Sequence, residues 1–343
     1  MKKIVKVVTI AVAIALVLIA IKNEYARFLM QDASYGMPAV IAEDREYRDN
    51  ADDQGVTLFI GSSMFRQGLD IYSLEERLDG RNYILSYNGN DPALEYLELE
   101  YLIDNDVRIA HLYMDMYTGS MIKSPWVSDD LIFLQTDTEF KLKVWNNIKA
   151  DAGFSDFWEM FVSSGNDLLL SWPVYNTVAS SVFYRGGNIS QTASVNGEFQ
   201  ENVANDNNTY VASPYEDLEP GDGFNDEQIS YIRKIIKLCR DNEIEITFIE
   251  TPKYISYGIS REYMEMIYKF ALILEEENTQ YYLSGTSKAS IPTDAKLPHL
   301  KGTVEFDNSK ADYYIDPIHL SPSGRTLYTQ ELAEILNDRF QDS

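Results

Sequence analysis

The sequence predicts an α/β protein built on a mainly parallel β-sheet, and three observations carry this prediction. Short runs of β-branched and apolar residues alternate with segments whose apolar residues recur at three- and four-residue intervals. The first apolar run, VTLFI at 56–60, breaks sharply at Gly61. The last helical segment directly follows an Asp-x-x-His sequence. Strands and helices that alternate in this way form βαβ units, whose strands pair in parallel.

Each element of this sheet has its own local signal. Strands are expected at 56–60, 82–86, 107–116, 245–250 and 280–283, which are short and rich in apolar or β-branched residues. The connecting helices begin at residues suited to capping a helix N-terminus, namely Asp91, Asn225, Ser260 and Ser321. Proline follows directly after Asp91 and Ser321, where it fits the first turn. The segment 69–78 is also helical in pattern, whereas 300–314 is expected to be a loop.

The N-terminal segment predicts a membrane anchor. Residues 4–21 are almost all apolar, and a run of about 18 such residues reaches the lower end of what spans a bilayer. Lys2, Lys3 and Lys6 place the N-terminus in the cytoplasm and the rest of the chain outside. A cleaved signal peptide is the competing interpretation, but no small-x-small cleavage site follows the run. We therefore expect a tip and transmembrane anchor at 1–22, a juxtamembrane linker at 23–54 and a catalytic domain at 55–343.

A long segment at 118–224 interrupts the strand–helix rhythm. It holds all four tryptophans, and its second half is rich in Asn, Ser and Gly. We interpret it as an insertion over the sheet edge, helical first and loop-like later. Its aromatic residues are expected to pack the insertion, and lining of a substrate groove is the alternative.

Charge and cysteine content exclude several functions. The chain has 54 acidic and 29 basic residues, and such a negative surface repels nucleic acid. A single cysteine, Cys239, excludes an intramolecular disulfide and a cysteine-based zinc site, and it falls within a predicted helix. The remaining acids and histidines are scattered, so the sequence predicts neither a metal nor another cofactor. An exported domain without disulfides suits a bacterial envelope.

Two separated motifs carry the chemistry. The bend after Gly61 holds Ser62 and Ser63 at the carboxyl edge of the predicted sheet, where open α/β folds bind ligands. Asp316 and His319 stand three residues apart in a turn that contains a proline. That spacing lets the carboxylate fix one imidazole nitrogen, which leaves the other nitrogen free to accept a proton from a serine.

The order and setting of these motifs resemble the SGNH, or GDSL-like, hydrolase superfamily. Its members carry a G-x-S nucleophile after the first strand and a D-x-x-H base before the last helix. The resemblance covers about 55–117 and 225–340, and it implies a three-layer α/β/α sandwich. By this match Ser63 is the nucleophile, with His319 and Asp316 as its partners, and Ser62 stands where the family usually has aspartate.

The chain departs from the family at the block G-x-N-D. After the third strand it reads Met114-Asp115-Met116 instead, so the usual asparagine donor of the oxyanion hole is missing. The match leaves the backbone N–H groups of Ser63 and Gly89 as donors. Asn88 or Asn90 would supply a side-chain donor. Loss of one such donor slows an enzyme by ~10²–10³.

An anchored domain with G-S-S and D-x-x-H looks like the envelope acyl-transfer branch of this superfamily. That branch includes the D-alanine transfer protein and polysaccharide O-acetylation proteins, which work beside a multi-pass membrane acyltransferase. The resemblance implies O-acyl transfer to an envelope polysaccharide or teichoic acid. The alternatives are an SGNH esterase or deacylase that uses the same residues, and a catalytically silent module that binds glycan or a membrane partner.

Overall fold

The computed structural model describes most of the α/β domain and part of what surrounds it. The described residues are 6–14, 17, 36–48, 54–86, 89–125, 138–148, 219–255 and 260–341. Within them the strands are β1 (Val56–Gly61), β2 (Arg81–Ser86), β3 (Ile109–Asp115), β4 (Glu245–Ile249), β5 (Gln280–Ser284) and β6 (Leu300–Val304). The helices are α1 (Gly36–Tyr47), α2 (Ser63–Gly68), α3 (Ile71–Glu75), α4 (Pro92–Asp104), α5 (Thr118–Met121), α6 (Thr138–Ile148), α7 (Asp226–Asp241), α8 (Arg261–Glu276), α9 (Gly285–Ser290) and α10 (Pro322–Gln341).

The six strands form one sheet in the order β2-β1-β3-β4-β5-β6, and every neighbouring pair is parallel. Parallel pairing brings the carboxyl ends of all strands to one edge. Gly61 pairs with Ser86 there, and Asp115 pairs with Ile249. The sequence-predicted parallel α/β sheet is therefore confirmed, and these strand ends create the edge at which the candidate site lies.

Helices cover both faces of the sheet, which makes a three-layer α/β/α arrangement. Alternate residues of a strand point to opposite faces. Leu58 and Ile60 of β1 therefore join one buried cluster, which α4, α7 and α8 complete. Phe59 joins a second cluster on the other face, together with residues of α3 and α10. Strands that are buried on both faces read as continuous apolar runs, which is why β1 was recognisable from sequence.

The last helix is tied directly to the first α/β unit. Thr329 of α10 accepts a hydrogen bond from the Asp70 N–H at 2.9 Å and donates its hydroxyl to the Gly68 carbonyl at 3.4 Å. Asp70 in turn caps α3. The two ends of the domain sequence therefore meet on one face of the sheet.

Several local predictions hold, and two need correction. Asp91, Asn225 and Ser260 cap α4, α7 and α8 as predicted. The segment 69–78 is not one helix, because α3 covers only Ile71–Glu75. The predicted loop at 300–314 begins instead with β6, which pairs parallel to β5 at the sheet edge. Only Val304 of this strand is buried, so β6 lacks the apolar run that marked the central strands.

The N-terminal predictions are described only in part. No helix among the described residues is long and apolar enough to cross a membrane. Residues 6–14 and 17 are helical, and the rest of the predicted anchor lies outside the described residues. Part of the predicted linker forms α1, whose Met37 and Val40 are buried in the core against the sheet.

Little of the predicted insertion falls within the described residues. Helices α5 and α6 lie in its first part, and Phe140 and Val144 of α6 are buried in the core. Residues 126–137 and 149–218, with three of the four tryptophans, lie outside the described residues.

Candidate active site

The turn after β1 separates the roles of its two serines. Ser62 is fully buried and caps α2, because its hydroxyl oxygen accepts a hydrogen bond from the Met64 N–H at 3.2 Å. Ser63 is the first residue of α2 and is partly exposed. A short helix after a strand holds the Ser63 side chain at the carboxyl edge of the sheet, so Ser63 is the accessible hydroxyl of the pair.

Asp115 fixes this turn from the end of the neighbouring strand. One of its oxygens, Oδ2, accepts hydrogen bonds from the Ser62 N–H at 2.9 Å and from the Ser62 hydroxyl at 2.5 Å. The carboxylate lies so close to Gly61 that a Cβ added there would stand 2.7 Å from its carboxyl carbon. Glycine at position 61 is therefore required by this contact, which gives the G-S-S motif a physical reason.

The Asp115 carboxyl is buried, and burial raises its pKa to about 6, although hydrogen bonds from Ser62 and the charge of Lys253 lower it. At neutral pH this group is therefore ionised at a desolvated position. An ionised carboxylate accepts a stronger hydrogen bond than a neutral one, which tightens its hold on the turn.

The Asp316–His319 turn is organised by its own backbone. Asp316 Oδ1 accepts hydrogen bonds from the N–H groups of Ile318 and His319, both at 2.9 Å. Its other oxygen, Oδ2, is 2.7 Å from His319 Nδ1. The last helix begins just after this turn, and the Ser321 hydroxyl accepts a hydrogen bond from the Gly324 N–H at 3.3 Å. One carboxylate thus orders the turn and orients the imidazole.

The structure brings the two sequence motifs together. His319 Nε2 lies 2.9 Å from Ser63 Oγ, although the two residues are 256 apart in sequence. Ser63, His319 and Asp316 therefore form a continuous hydrogen-bonded chain from a hydroxyl, through an imidazole, to a carboxylate. In such a chain the imidazole is held in the tautomer whose Nε2 faces the hydroxyl.

Electrostatics keep Asp316 ionised. Partial burial raises the pKa of Asp316, but the hydrogen bond and charge of His319, with the N–H groups of Ile318 and His319, lower it more. The net pKa lies below its ordinary value. The carboxylate therefore remains a hydrogen-bond acceptor for the imidazole under neutral conditions.

A second group of buried charges surrounds the end of β4. Glu250 accepts hydrogen bonds from the Tyr263 hydroxyl at 2.7 Å, the Ser284 N–H at 2.8 Å and the Ser287 hydroxyl at 2.6 Å. Lys253 is also buried, and its ammonium donates to the Thr251 carbonyl at 3.1 Å. Burial lowers the pKa of Lys253 to about 8, against the attraction of Glu250, Asp115 and Asp316. The ammonium is thus within electrostatic range of the candidate active site.

The candidate oxyanion donors have different positions. Gly89 adopts a positive φ of 69° in the turn after β2. Asn90 is buried, and its amide nitrogen donates to the Gly61 carbonyl at 3.3 Å and to Glu98 Oε2 at 3.2 Å. Asn90 therefore braces the carbonyl that precedes the serine turn. Asn88 lies outside the described residues.

The other two histidines lie at the opposite edge of the sheet. His111 follows the start of β3, with Nδ1 3.4 Å from Glu245 Oε2, and His299 donates its N–H to Glu275. Within the described residues, no group of three or more His, Cys, Asp or Glu side chains is arranged to hold a metal ion.

Sequence reasoning missed Asp115, Glu250 and Lys253. The available signal was a charged residue at the end of an apolar strand run, because such residues meet at the carboxyl edge of a parallel sheet. Asp115 and Glu250 both fit that description. Lys253 follows a Thr-Pro pair, and nothing local indicates that it is buried.

Comparisons with known proteins add little. No family model matches the chain, and no curated protein matches it. A solved structure of a protein from Streptococcus pneumonia, provisionally described as a platelet activating factor, is similar at a TM-score of 0.33 with 13% sequence identity. The match covers 96% of this chain and 98% of that one. A similarity this weak carries no functional conclusion, so the function has to be inferred from the site itself.

Proposed function

We propose that this protein is a serine-dependent acyl-ester enzyme that transfers an O-acyl group, acetyl or D-alanyl, to a cell-envelope polysaccharide or teichoic acid. One observation carries the enzyme class. The Ser63 hydroxyl, the His319 imidazole and the Asp316 carboxylate are joined by contacts of 2.9 Å and 2.7 Å. This is the arrangement that activates a serine for nucleophilic attack. A silent glycan-binding or scaffold module has no need for such a chain of contacts.

The proposed reaction has two balanced halves. Ser63 Oγ attacks the carbonyl carbon of an acyl ester while His319 Nε2 takes its proton, and the leaving alcohol then receives that proton as its C–O bond breaks. The acyl group now resides on Ser63. An acceptor hydroxyl gives its proton to His319 Nε2 and attacks the same carbonyl, and the bond to Ser63 Oγ then breaks as Ser63 Oγ receives that proton. Asp316 stays ionised and stabilises the imidazolium in both halves.

The proposed oxyanion hole uses the backbone N–H of Ser63, at the start of α2, and Gly89 as its second donor. Asn90 contributes through the Gly61 carbonyl that it holds. Donors fixed before the reaction stabilise the developing negative charge most effectively.

The proposed location is the outer face of a bacterial cell membrane, with residues 1–22 as a single-span anchor and the N-terminus in the cytoplasm. The apolar run at 4–21 and the lysines before it support this location. The proposed partner is a multi-pass membrane acyltransferase that delivers the acyl group.

Fluorophosphonate labelling of the purified full-length chain tests the enzyme class. We expect covalent labelling of the wild type and its complete loss in Ser63→Ala. Ser62→Ala is the matched variant, because it removes the neighbouring hydroxyl and keeps the Ser63 hydroxyl. The peptide that carries the label, identified by mass spectrometry, should contain a modified Ser63 in that variant. Labelling that survives Ser63→Ala would refute the assignment.

Transfer and hydrolysis are separated by their products. The chain is incubated with an activated acetyl ester and a soluble glycan, and acetylated glycan and free acetate are measured. Glycan acetylation that depends on Ser63 supports transfer. Acetate as the sole product, with the same dependence, would establish the esterase alternative.

A further inference from the structure

We infer that Asp115 and Lys253 are a pair of buried positioning residues, in which ionised Asp115 orients the serine turn and the positive charge of Lys253 supports that ionised carboxylate. This inference rests on the proposed function. It goes beyond the Ser63, His319 and Asp316 set, because neither residue belongs to the motifs that resemble the hydrolase superfamily.

The contacts of Asp115 are with the turn rather than with the reacting atoms. It binds both the N–H and the hydroxyl of Ser62, and its carboxyl group fills the space beside Gly61. Ser62 is the residue before the nucleophile and caps the helix that Ser63 begins. A shift of this turn would move Ser63 Oγ away from His319 Nε2, and misplacement by about 1 Å can slow a reaction ~10²-fold.

The position of Lys253 connects the two halves of the site. The next residue, Tyr254, donates its N–H to the Pro317 carbonyl at 2.9 Å, inside the Asp316–His319 turn. The Lys253 ammonium interacts electrostatically with Glu250, with Asp115 at the serine turn and with Asp316 of the Asp316–His319 turn. No carboxylate among the described residues forms a close ion pair with it, and its hydrogen bond goes to a backbone carbonyl. Its charge is thus shared by the surrounding carboxylates.

The other charged and polar groups around the pair are also identified. Asp115 receives hydrogen bonds from Ser62 in the serine turn and from the Phe65 N–H of α2. The charged groups that act on it are Lys253, after β4, and Glu95, in α4. Lys253 faces Glu250, Asp115 and Asp316, and lies 5.9 Å from the Tyr263 ring of α8. Glu95 is another buried acid, and its pKa is raised well above the ordinary value, mainly by burial. Among the residues that the structure describes, Lys253 is therefore the cation whose charge lowers the pKa of Asp115.

The pair predicts a specific pH dependence of Ser63 reactivity. As the pH falls through about 6, Asp115 takes up a proton and its hold on Ser62 weakens. Without Lys253 the carboxylate loses its opposite charge, so the same weakening should occur at higher pH. A residue that only fills space would give no such dependence.

The test measures the fluorophosphonate labelling rate of the full-length chain from pH 5 to 9, with folding checked by circular dichroism. Asp115→Asn keeps the size of the side chain and removes the charge. We expect it to lower the rate ~10-fold at pH 8, and the ratio of wild-type to variant rates should shrink toward one as the pH falls through about 6.

Lys253 variants complete the test. In Lys253→Met, the fall of the labelling rate at low pH should begin about one pH unit higher than in the wild type. Lys253→Arg should return this fall to its wild-type pH, because it restores the positive charge. In an Asp115→Asn background, Lys253→Met should cause no further shift, since no carboxylate remains at 115 to titrate. Gly61→Ala is an independent variant that displaces the carboxylate through its Cβ, and it should lower the rate without changing any charge.

The outcomes separate the two proposals. A labelled wild type with a pH-independent rate ratio to Asp115→Asn would overturn the inference and leave the proposed function intact. A shift caused by Lys253→Met that persists in the Asp115→Asn background would also overturn it, since Lys253 would then act on Asp316 alone. A wild type that is unlabelled at every pH would overturn the proposed function and the inference with it.

Discussion

The two edges of the sheet, formed by the amino ends and by the carboxyl ends of its strands, differ in how their buried carboxylates are compensated. At the amino edge, the buried Asp44 carboxylate of α1 lies 3.0 Å from Arg81, 3.5 Å from Arg48 and 3.8 Å from Arg108. At the carboxyl edge, the Asp115 carboxylate binds a hydroxyl and an N–H of Ser62. One edge neutralises its buried carboxylate with several guanidinium groups, whereas the other leaves its charges separated.

This difference indicates that the buried charge at the amino edge stabilises the fold, whereas the buried charges at the carboxyl edge destabilise it. Ion pairs with Arg81, Arg48 and Arg108 satisfy Asp44 and fasten α1 to the sheet. Buried charges without a close ion pair have a desolvation cost that their hydrogen bonds offset only in part. Such groups are typical of functional sites. We therefore expect loss of a charge at the amino edge to lower stability, and loss of a charge at the carboxyl edge to lower reactivity without lowering stability at neutral pH.

The largest expected effect is that of Asp316→Asn at the carboxyl edge. The amide cannot hold the imidazole in the required tautomer, so the labelling rate of Ser63 should fall by ~10³–10⁴. The unfolding midpoint should change little, because Asp316 is 43% exposed. The labelling rate is measured from samples quenched at a series of times, and the unfolding midpoint is measured by urea titration. A large loss of stability with an unchanged rate would reverse the assignment of the edges.

The next effect is a pH-dependent stability difference between the wild type and Asp115→Asn. Burial raises the pKa of Asp115 from 3.8 to about 6, so its contribution to stability is fully present below 3.8 and is lost as the pH rises through about 6. Relative to the variant, the wild type should lose up to about 3 kcal/mol of unfolding free energy over that range. Urea unfolding at a series of pH values measures it, and a constant difference would contradict it.

The smallest effect is expected for Asp44→Asn at the amino edge. Loss of the charge leaves three arginines without their shared partner, which should lower the unfolding free energy by roughly 2 kcal/mol. The loss is moderated because the Arg48 and Arg108 side chains are each 39% exposed and remain hydrated. The labelling rate of the folded protein should be unchanged. A slower rate would show that the two edges are coupled.

The sequence alone was sufficient for the elements that have strong local signals. The run at 56–60 and the caps Asp91, Asn225 and Ser260 predicted strand and helix positions that the structure contains. Strand β6 was missed because an edge strand needs few buried side chains, and Gly302 weakens its pattern further. The early end of the helix in 69–78, at Glu75, was missed because Leu74 and Leu78 continue the apolar spacing of a helix.

The candidate site was only partly accessible to sequence reasoning. Ser63, Asp316 and His319 stand in recognisable local settings, and their proximity follows from strand order and from the start of the last helix. Asp115 stands at the end of an apolar strand run, but nothing local shows that it contacts Ser62, and Lys253 has no local signal at all. Their importance follows from contacts that form only in the folded chain. The end of β3 brings Asp115 against Gly61, and the hydrogen bond from Tyr254 to Pro317 brings the segment with Lys253 to the Asp316–His319 turn.

The hydrogen bonds of Thr329 to Asp70 and Gly68 have a consequence for the order of folding. The serine turn and Asp115 lie within the first three strands, whereas His319 stands directly before α10. Contacts this distant in sequence form late, because a long loop must close first. The Ser63 hydroxyl therefore lacks its contact with His319 until α10 docks on the first α/β unit. Under the proposed function, a partly folded chain carries an unreactive serine, and Ser63 becomes reactive only when folding is complete.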